Sequence, residues 1–470
     1  MPGLGLLVDI VLIAVSALAV GHAVLYKRDP RAAWGWIVTC VAFPGVGGLV
    51  YFLFGVNRIQ TQARRLGRRM SSVADRKRHA AVQAALPVEV AALVRVSDAV
   101  TRRPLVDGNR VQPLHNGEEA FPAMWEAIAG ARRSVYLSTY IFESNATGLR
   151  FMDCLAEAVR RGADVKVLVD AVGERYSRPR ATALLRARGV PAARFLPLSL
   201  RNPAIHLNLR NHRKLLVVDG SVGFTGGMNI GDRHLAGRLD NPDRVVDLQF
   251  RVTGPVVPQM EAAFLEDWSF VSGKACFSDL VPNPTGTGPA VCRGVSAGPN
   301  EDFEKLTWIL IGALNAARER VLIMTPYFIP SRELIATLNA AALRGVKIEL
   351  LLPGQNNLPF VDWASRAYLW ELLKRDIWIG FQPPPFVHTK LFLVDEQYAL
   401  VGSANLDPRS LRLNFEFNLE IYDRGLVAEL AHHFDAAKAV SRRYTWWDDQ
   451  NRPLAIKLRD GVARLLSPYL

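Results

Sequence analysis

Two histidines of this 470-residue chain keep matching company. The first copy reads His212-x-Lys214, four residues, Asp219, six residues, Gly226-Gly227-x-Asn229; the second reads His388-x-Lys390, four residues, Asp395, six residues, Gly402-Ser403-x-Asn405. A histidine beside a fixed cation, with a glycine turn and an amide next, suits an oxyanion. Lysine supplies a point charge, asparagine supplies amide N–H, and small residues let backbone N–H groups approach phosphate oxygens. A lone His-x-Lys pair arises by chance on surface strands; two copies with identical internal spacing do not.

One imidazole cannot both attack phosphorus and protonate the oxygen leaving on the opposite side. Two can divide the work: one attacks in line and forms a phosphohistidine, while the other protonates the departing alcohol and then deprotonates the incoming one. The lysines and asparagines carry the charge, so this chemistry calls for no metal and no cofactor. A nucleophilic histidine must be neutral and held in one tautomer, commonly by a carboxylate on its other nitrogen. Glu416 in "LNFEFN", downstream of His388, and Asp247 in "RVVDLQF", downstream of His212, are the candidate orienters. His115, His206, His234, His432 and His433 have no such company and read as structural or surface residues.

The elements that must position these groups repeat as well. "RSVYLSTYIFESNATGLRFMDCLAEAVRRGADVKVLVD" (133–170) parallels "ERVLIMTPYFIPSRELIATLNAAALRGVKIELLLP" (319–353). Each is a β-branched and aromatic run, an amphipathic helical stretch, Arg-Gly, and a second buried strand, which favours a right-handed crossover and parallel strands. In "HRKLLVVD" and "HTKLFLVD", strand alternation puts histidine and lysine on one face. The expected organisation is α/β: a first half over 108–271, a Gly/Pro-rich connection over 272–300 that includes "VPNPTGTGP", and a second half over 301–470.

Two apolar stretches precede the repeat. Residues 4–26, broken only by Asp9, Ser16 and His22, would span roughly 35 Å as a helix, enough to cross a bilayer. A second stretch, 32–56, follows the polar turn "KRDPR", so residues 1–57 read as a transmembrane hairpin. The turn carries Lys27, Arg28 and Arg31; the basic segment 58–107 carries Arg58, Arg64, Arg65, Arg68, Arg69, Arg76, Lys77 and Arg78. The positive-inside rule therefore puts the N-terminus and the large C-terminal part in the cytoplasm. The net charge of +13 suits anionic headgroups; nucleic acid would feel it too, but a nuclease has no reason for a membrane hairpin. Cys40, Cys154, Cys276 and Cys292 lie far apart with no ligand spacing, which supports neither a disulfide framework nor a zinc site.

In the duplicated His-x-Lys-x4-Asp motif the chain resembles the phospholipase D superfamily. Within it, "NLRNHRKLLVVDG", "GGMNIGD", "VGSANLDPRSLRLNFE" and the hairpin stretch "AAWGWIVTCVAFPGVGGLVYFLFG" resemble bacterial cardiolipin synthases over nearly the full length. The resemblance implies two fused α/β halves with mixed sheets around one shared active site. It also implies transfer of a phosphatidyl group between two phosphatidylglycerol molecules at the bacterial inner membrane, releasing glycerol. It assigns the attack to His212 and the proton to His388, with phosphatidylglycerol and other anionic phospholipids as partners. Hydrolysis of the same intermediate by water, or transfer to another alcohol, is the alternative chemistry. Gly227 departs from the pattern, standing where the second copy has Ser403 and removing a hydroxyl donor from one half.

Overall fold

The computed structural model describes residues 2–27, 30–55, 73–101, 103–197, 209–276, 286–299 and 304–467. Arg28, Arg58, Arg64, Arg65, Arg68, Arg69, His206 and most of "VPNPTGTGP" lie outside the described residues. The chain divides into two compact units, one holding the N-terminal helices and one holding both halves of the repeat.

In the N-terminal unit, Pro2–Tyr26 is one helix, and Asp9–Tyr26 within it is long and apolar enough to cross a membrane. The second stretch does not form a continuous span. Its helix Pro30–Ala42 ends before Pro44, and Gly45 (φ +81°) turns the chain into the short helix Val46–Val50 and the wide turn Tyr51–Gly55. Proline removes a helical N–H and its ring clashes with the preceding turn, so the rod expected over 32–56 is broken at 43–45. The 13 residues of Pro30–Ala42 reach only about 20 Å at 1.5 Å per residue. The four cysteines are unpaired.

Among the described residues the larger unit contains seventeen strands. They are β1 (Val106–His115), β2 (Ser134–Thr139), β3 (Asp164–Asp170), β4 (Ala192–Phe195), β5 (Leu215–Val218), β6 (Val222–Gly226), β7 (Val245–Val246), β8 (Leu248–Thr253), β9 (Ala290–Ala297), β10 (Arg320–Met324), β11 (Lys347–Pro353), β12 (Trp378–Gln382), β13 (Phe386–Val387), β14 (Leu391–Val394), β15 (Tyr398–Gly402), β16 (Glu416–Tyr422) and β17 (Arg442–Tyr444). The first half has the order β1-β8-β6-β5-β2-β3-β4; the second repeats it as β9-β16-β15-β14-β10-β11-β12 and adds β17 at the edge. β1 and β9 pair antiparallel and join the two arrays. The sheets are mixed, as expected: β2–β3–β4 and β10–β11–β12 run parallel across their helical crossovers, the rest of each array antiparallel.

Strand alternation explains how the arrays share a core. In β5, Leu216 and Val218 pack under the first half's own helices, while Leu215 and Val217 face the other way. In β14, Phe392 and Val394 pack on the second half's outer side, while Leu391 and Leu393 join Leu215 and Val217 in one common core. Each such side chain stabilises by roughly 1.5–3 kcal/mol when fully buried, so separating the halves would expose a layer as costly as a domain core.

Two stretches read as connections carry structure. In 58–107, residues Val73–Ala85 and Ala91–Thr101 are helical, and Leu93 and Val94 pack with Leu306, Ile309 and Leu310 in the core of the second half. In 272–300, β9 pairs with β16 from Val291 to Ala297. Its sequence "AVCRGVSA" is a buried strand behind a Gly/Pro-rich lead-in, and the lead-in hid it.

Candidate active site

Each motif histidine sits just ahead of a central strand, not within it: β5 starts at Leu215 and β14 at Leu391. The extended segment before each strand instead crosses to the opposite half. The His212 N–H donates to the Phe415 carbonyl (2.9 Å), and the Phe415 N–H donates to the Arg210 carbonyl (2.9 Å). In mirror fashion β13 pairs in parallel with β7, and the His388 N–H donates to the Val246 carbonyl (2.7 Å). These short cross-half ladders bring each histidine beside a carboxylate of the other half. His212 Nδ1 lies 3.0 Å from Glu416 Oε1, and His388 Nδ1 lies 2.8 Å from Asp247 Oδ2. Both orienters chosen from the sequence are in place, but each serves the other copy's histidine. The sequence left open which histidine each would meet, because the pairing is made between the halves.

Buried polar groups hold the first segment rigid. Asp170 accepts from the Asn211 N–H (2.9 Å) and pairs with Arg210 (3.2 Å), while Arg213 pairs with Asp267 (3.1 Å) and donates to the Ala263 carbonyl (2.7 Å). Glu416 is fully buried and well supplied with donors: Ser403 Oγ (2.5 Å) and Asn414 Nδ2 (3.2 Å) join His212. Burial by itself would raise its carboxyl, but the charge and hydrogen bond of His212, then Lys214 and Ser403, outweigh it and hold Glu416 below the ordinary range. Asp247 accepts from the Leu248 N–H (2.8 Å) and is pushed up to about 6, chiefly by burial.

The glycine that departs from the pattern has a steric reason. A Cβ at Gly227 would come 2.3 Å from Asp247 Oδ1, so the carboxylate occupies the place of the missing side chain. Ser403, at the matching place, instead donates its hydroxyl to Glu416 (2.5 Å).

Burial lowers His212 and takes His388 well below the ordinary histidine value, the latter helped by Lys390, Lys214 and His212 itself. Each copy therefore feels the other's charge within one site. The lysines are as confined. Lys214 Nζ donates to the His212 carbonyl (2.9 Å) and Lys390 Nζ to the His388 carbonyl (2.5 Å). Burial brings Lys214 down to about 7 and Lys390 to about 8, against the pull of Glu416 and Asp247. Asn229 Oδ1 takes the Ile141 N–H (3.1 Å), leaving its NH2 as the donor end, and Asn405 Oδ1 is buried without a partner. Gly226 (φ +155°) and Gly402 (φ +149°) end β6 and β15 at backbone angles that L side chains rarely adopt.

Asp219 and Asp395, grouped with the catalytic residues on the strength of the motif, are elsewhere. Four strand residues separate each from its lysine, roughly 3.3 Å apiece. Asp219 accepts from the N–H groups of Arg132, Arg133 and Ser134 (2.9, 2.7 and 2.9 Å) at the start of β2. Asp395 accepts from Arg318, Glu319 and Arg320 (3.1, 2.8 and 2.9 Å) at the start of β10. Both take φ near +50°. They tie the far end of the motif strand to its neighbour, a structural clamp repeated in both halves.

Two site residues escaped the sequence reading. The Tyr140 ring meets the His212 ring edge-on at 5.4 Å, and Tyr327 meets His388 likewise at 6.1 Å. Their matching places in "STYIF" and "TPYFI" were the available signal. His234 is buried, its Nε2 accepting the Asn229 N–H (3.1 Å), and burial lowers it to about 3, so it stays a neutral support for the Asn229 loop.

Comparison with known proteins agrees with this site. A family model described as "Cardiolipin synthase, PLD-like domain" matches residues 124–268 and 310–438, one stretch in each half. The chain belongs to this family. A second model, "Phospholipase_D-nuclease N-terminal", matches residues 14–55. The major cardiolipin synthase ClsA of Bacillus subtilis is 31% identical over 94% of this chain and 95% of its own length. Cardiolipin synthase A of Pseudomonas aeruginosa is 35% identical over 96% of this chain and 93% of its own. The crystal structure of phosphatidylserine synthase from Haemophilus influenzae shares the fold, with a TM-score of 0.63 at 15% identity, covering 80% of this chain and all of that one. The unit that makes one site here is the pair of halves, because each supplies the carboxylate that lies against the other's histidine.

Proposed function

We propose that the protein transfers a phosphatidyl group from one phosphatidylglycerol to another, giving cardiolipin and glycerol through a phosphohistidine on His212. The crossed His–carboxylate pairs carry this reading. Glu416, held ionised, accepts from His212 Nδ1–H and leaves the Nε2 lone pair free to attack phosphorus. As the P–N bond forms, the P–O bond to glycerol breaks, and His388, charged once the anionic phosphodiester lies beside it and holding its Nδ1–H on Asp247, gives the departing oxygen its Nε2 proton. His388 then takes the hydroxyl proton of a second phosphatidylglycerol, whose oxygen attacks phosphorus as the P–N bond breaks. Lys214, Lys390, Asn229 and Asn405 face the non-bridging oxygens throughout. Expelled and incoming alcohols are chemically alike, so the reaction runs near equilibrium without a nucleotide.

The apolar helix Pro2–Tyr26 and the match over residues 14–55 support membrane attachment. In our reading 2–55 enters the inner membrane as a helix and a broken return, with the halves on the cytoplasmic side that the arginine distribution favours. External protease should then leave the C-terminal part of intact cells uncut.

Mass spectrometry of lipids after incubating the purified protein with phosphatidylglycerol alone tests the activity. Cardiolipin and free glycerol are expected, with less cardiolipin in excess glycerol. Phosphatidic acid without cardiolipin at any lipid density would replace transfer by hydrolysis.

A further inference from the structure

The helix Leu454–Leu465 near the C-terminus is amphipathic the wrong way round for a core helix. Its inward side carries Ala463, buried against Ile329, Val361 and Ala364, and Asp460, buried and paired with Arg452 (2.6 Å) and Arg459 (2.7 Å). Its outward side carries Leu454, Leu458, Val462 and Leu465, exposed by 72, 61, 61 and 74%, and Leu466 follows. At 3.6 residues per turn these five fall within an arc of about 120°. Arg459 borders the arc on one side, Lys457 and Arg464 on the other. Asp460 is the one acid of the helix, and it faces inward. The sequence reading did not single out this stretch.

Exposed apolar residues also lie between this helix and the reaction centre. The helix packs on Pro359–Arg366, whose start exposes Leu358 and Phe360. Arg459 lies over the Trp363 ring (4.5 Å), and Trp363 meets Phe360 (5.0 Å). Asn357, next to Leu358, accepts from the Tyr327 hydroxyl (2.7 Å), and the Tyr327 ring is the one against His388. A run of contacts, with Leu358 and Phe360 exposed along it, therefore leads from the helix to the lip of the active site.

We propose that the Leu454–Leu465 helix, with Leu358 and Phe360, is an interfacial docking surface for an anionic phospholipid bilayer. The leucines and valine enter the headgroup–acyl boundary while Lys457, Arg459 and Arg464 meet lipid phosphates. An exposed apolar arc, basic residues on both borders and no outward acid are the composition such a surface needs. A protein partner would not require cations on both borders. Docking would present the Tyr327–His388 side of the site to lipid headgroups, so this inference rests on the lipid-substrate reading above.

The test uses the full-length protein in nanodiscs containing phosphatidylglycerol. An environment-sensitive fluorophore is placed on Leu458→Cys or Val462→Cys, in a Cys154→Ser/Cys276→Ser background, with Arg160→Cys as an exposed reference on the first half. Quenching at 458 and 462 by lipid-borne quencher, and at 160 by aqueous iodide, is expected. Equal iodide quenching at all three positions overturns the proposal, as does shielding of 458 and 462 in lipid-free detergent through cross-linkable dimers, which would make a second copy the occupant. In parallel, Leu458→Asp/Val462→Asp should lower cardiolipin formation on bilayers roughly tenfold, the loss expected for removing buried apolar contacts at an interface. Its rate on monomeric short-chain phosphatidylglycerol should stay within about twofold, since chemistry and folding are untouched. Equal losses on both substrates, or none on either, argue against docking. If the unmodified protein makes no cardiolipin from any lipid, the functional reading fails, while the quenching result still decides whether this face meets the bilayer.

Discussion

His212 and Glu416, 204 residues apart in the chain, share a hydrogen bond of 3.0 Å, and neither has its partner in its own half. The reciprocal pair, His388 and Asp247, closes at 2.8 Å. One half alone would hold a histidine without an orienter and a carboxylate without a histidine.

The crossing predicts which step each carboxylate controls. Glu416→Gln should slow formation of the phosphohistidine by roughly 10²- to 10⁴-fold, because it removes the acceptor that keeps His212 in its nucleophilic tautomer. Asp247→Asn should slow overall turnover comparably through His388. A phosphatidyl ester of 4-nitrophenol separates them, since that leaving group needs no proton. The Asp247 variant should then form and accumulate the intermediate at a near-normal rate while the Glu416 variant does not. The reverse pattern would make His388, the partner of Asp247, the nucleophile and His212 the acid.

Asp219 and Asp395 should matter for stability rather than chemistry. Each collects three backbone N–H groups, and charged acceptors of this kind are worth about 1.5–3 kcal/mol apiece when buried, less in these half-exposed turns. Asp219→Ala or Asp395→Ala should lower unfolding stability by about 1–3 kcal/mol and leave the rate per folded molecule within a few-fold. A folded Asp395→Ala protein as inactive as His388→Asn would put the aspartate in the reaction.

The lysines set the alkaline side of the pH profile. Lys214 titrates near 7 and Lys390 near 8 in the free protein, both lowered by burial. They are cationic below those values and lose charge as pH rises through them. The profile of kcat/KM should fall from about pH 7 to 8 upward, and Lys390→Arg should move part of that limb higher. On the acid side, Asp247 gains a proton as pH falls through about 6 and stops accepting from His388. A flat profile up to pH 10 would contradict the assignment.

Positive charge at the phosphate is supplied by the chain, so full activity is expected in excess chelator. A loss that is reversed by adding back a divalent cation would show that the lysines do not suffice.

Much of this was legible in one dimension. Duplication, parallel crossovers, the motif residues and the first apolar helix follow from local periodicity and spacing, which short-range sterics and solvent exposure dictate. The break at 43–45 was written in the Pro-Gly pair and was overridden by hydropathy. What the chain order could not convey is who meets whom across the two halves. The exchange of Glu416 and Asp247, the space that Asp247 takes at Gly227, the placing of Asp219 and Asp395 on the N–H groups of the neighbouring strand and the outward apolar face of the last helix all depend on contacts between distant segments. Spacing along the chain places residues on strands and faces; only packing of the halves through Leu215, Val217, Leu391 and Leu393 decides which faces meet.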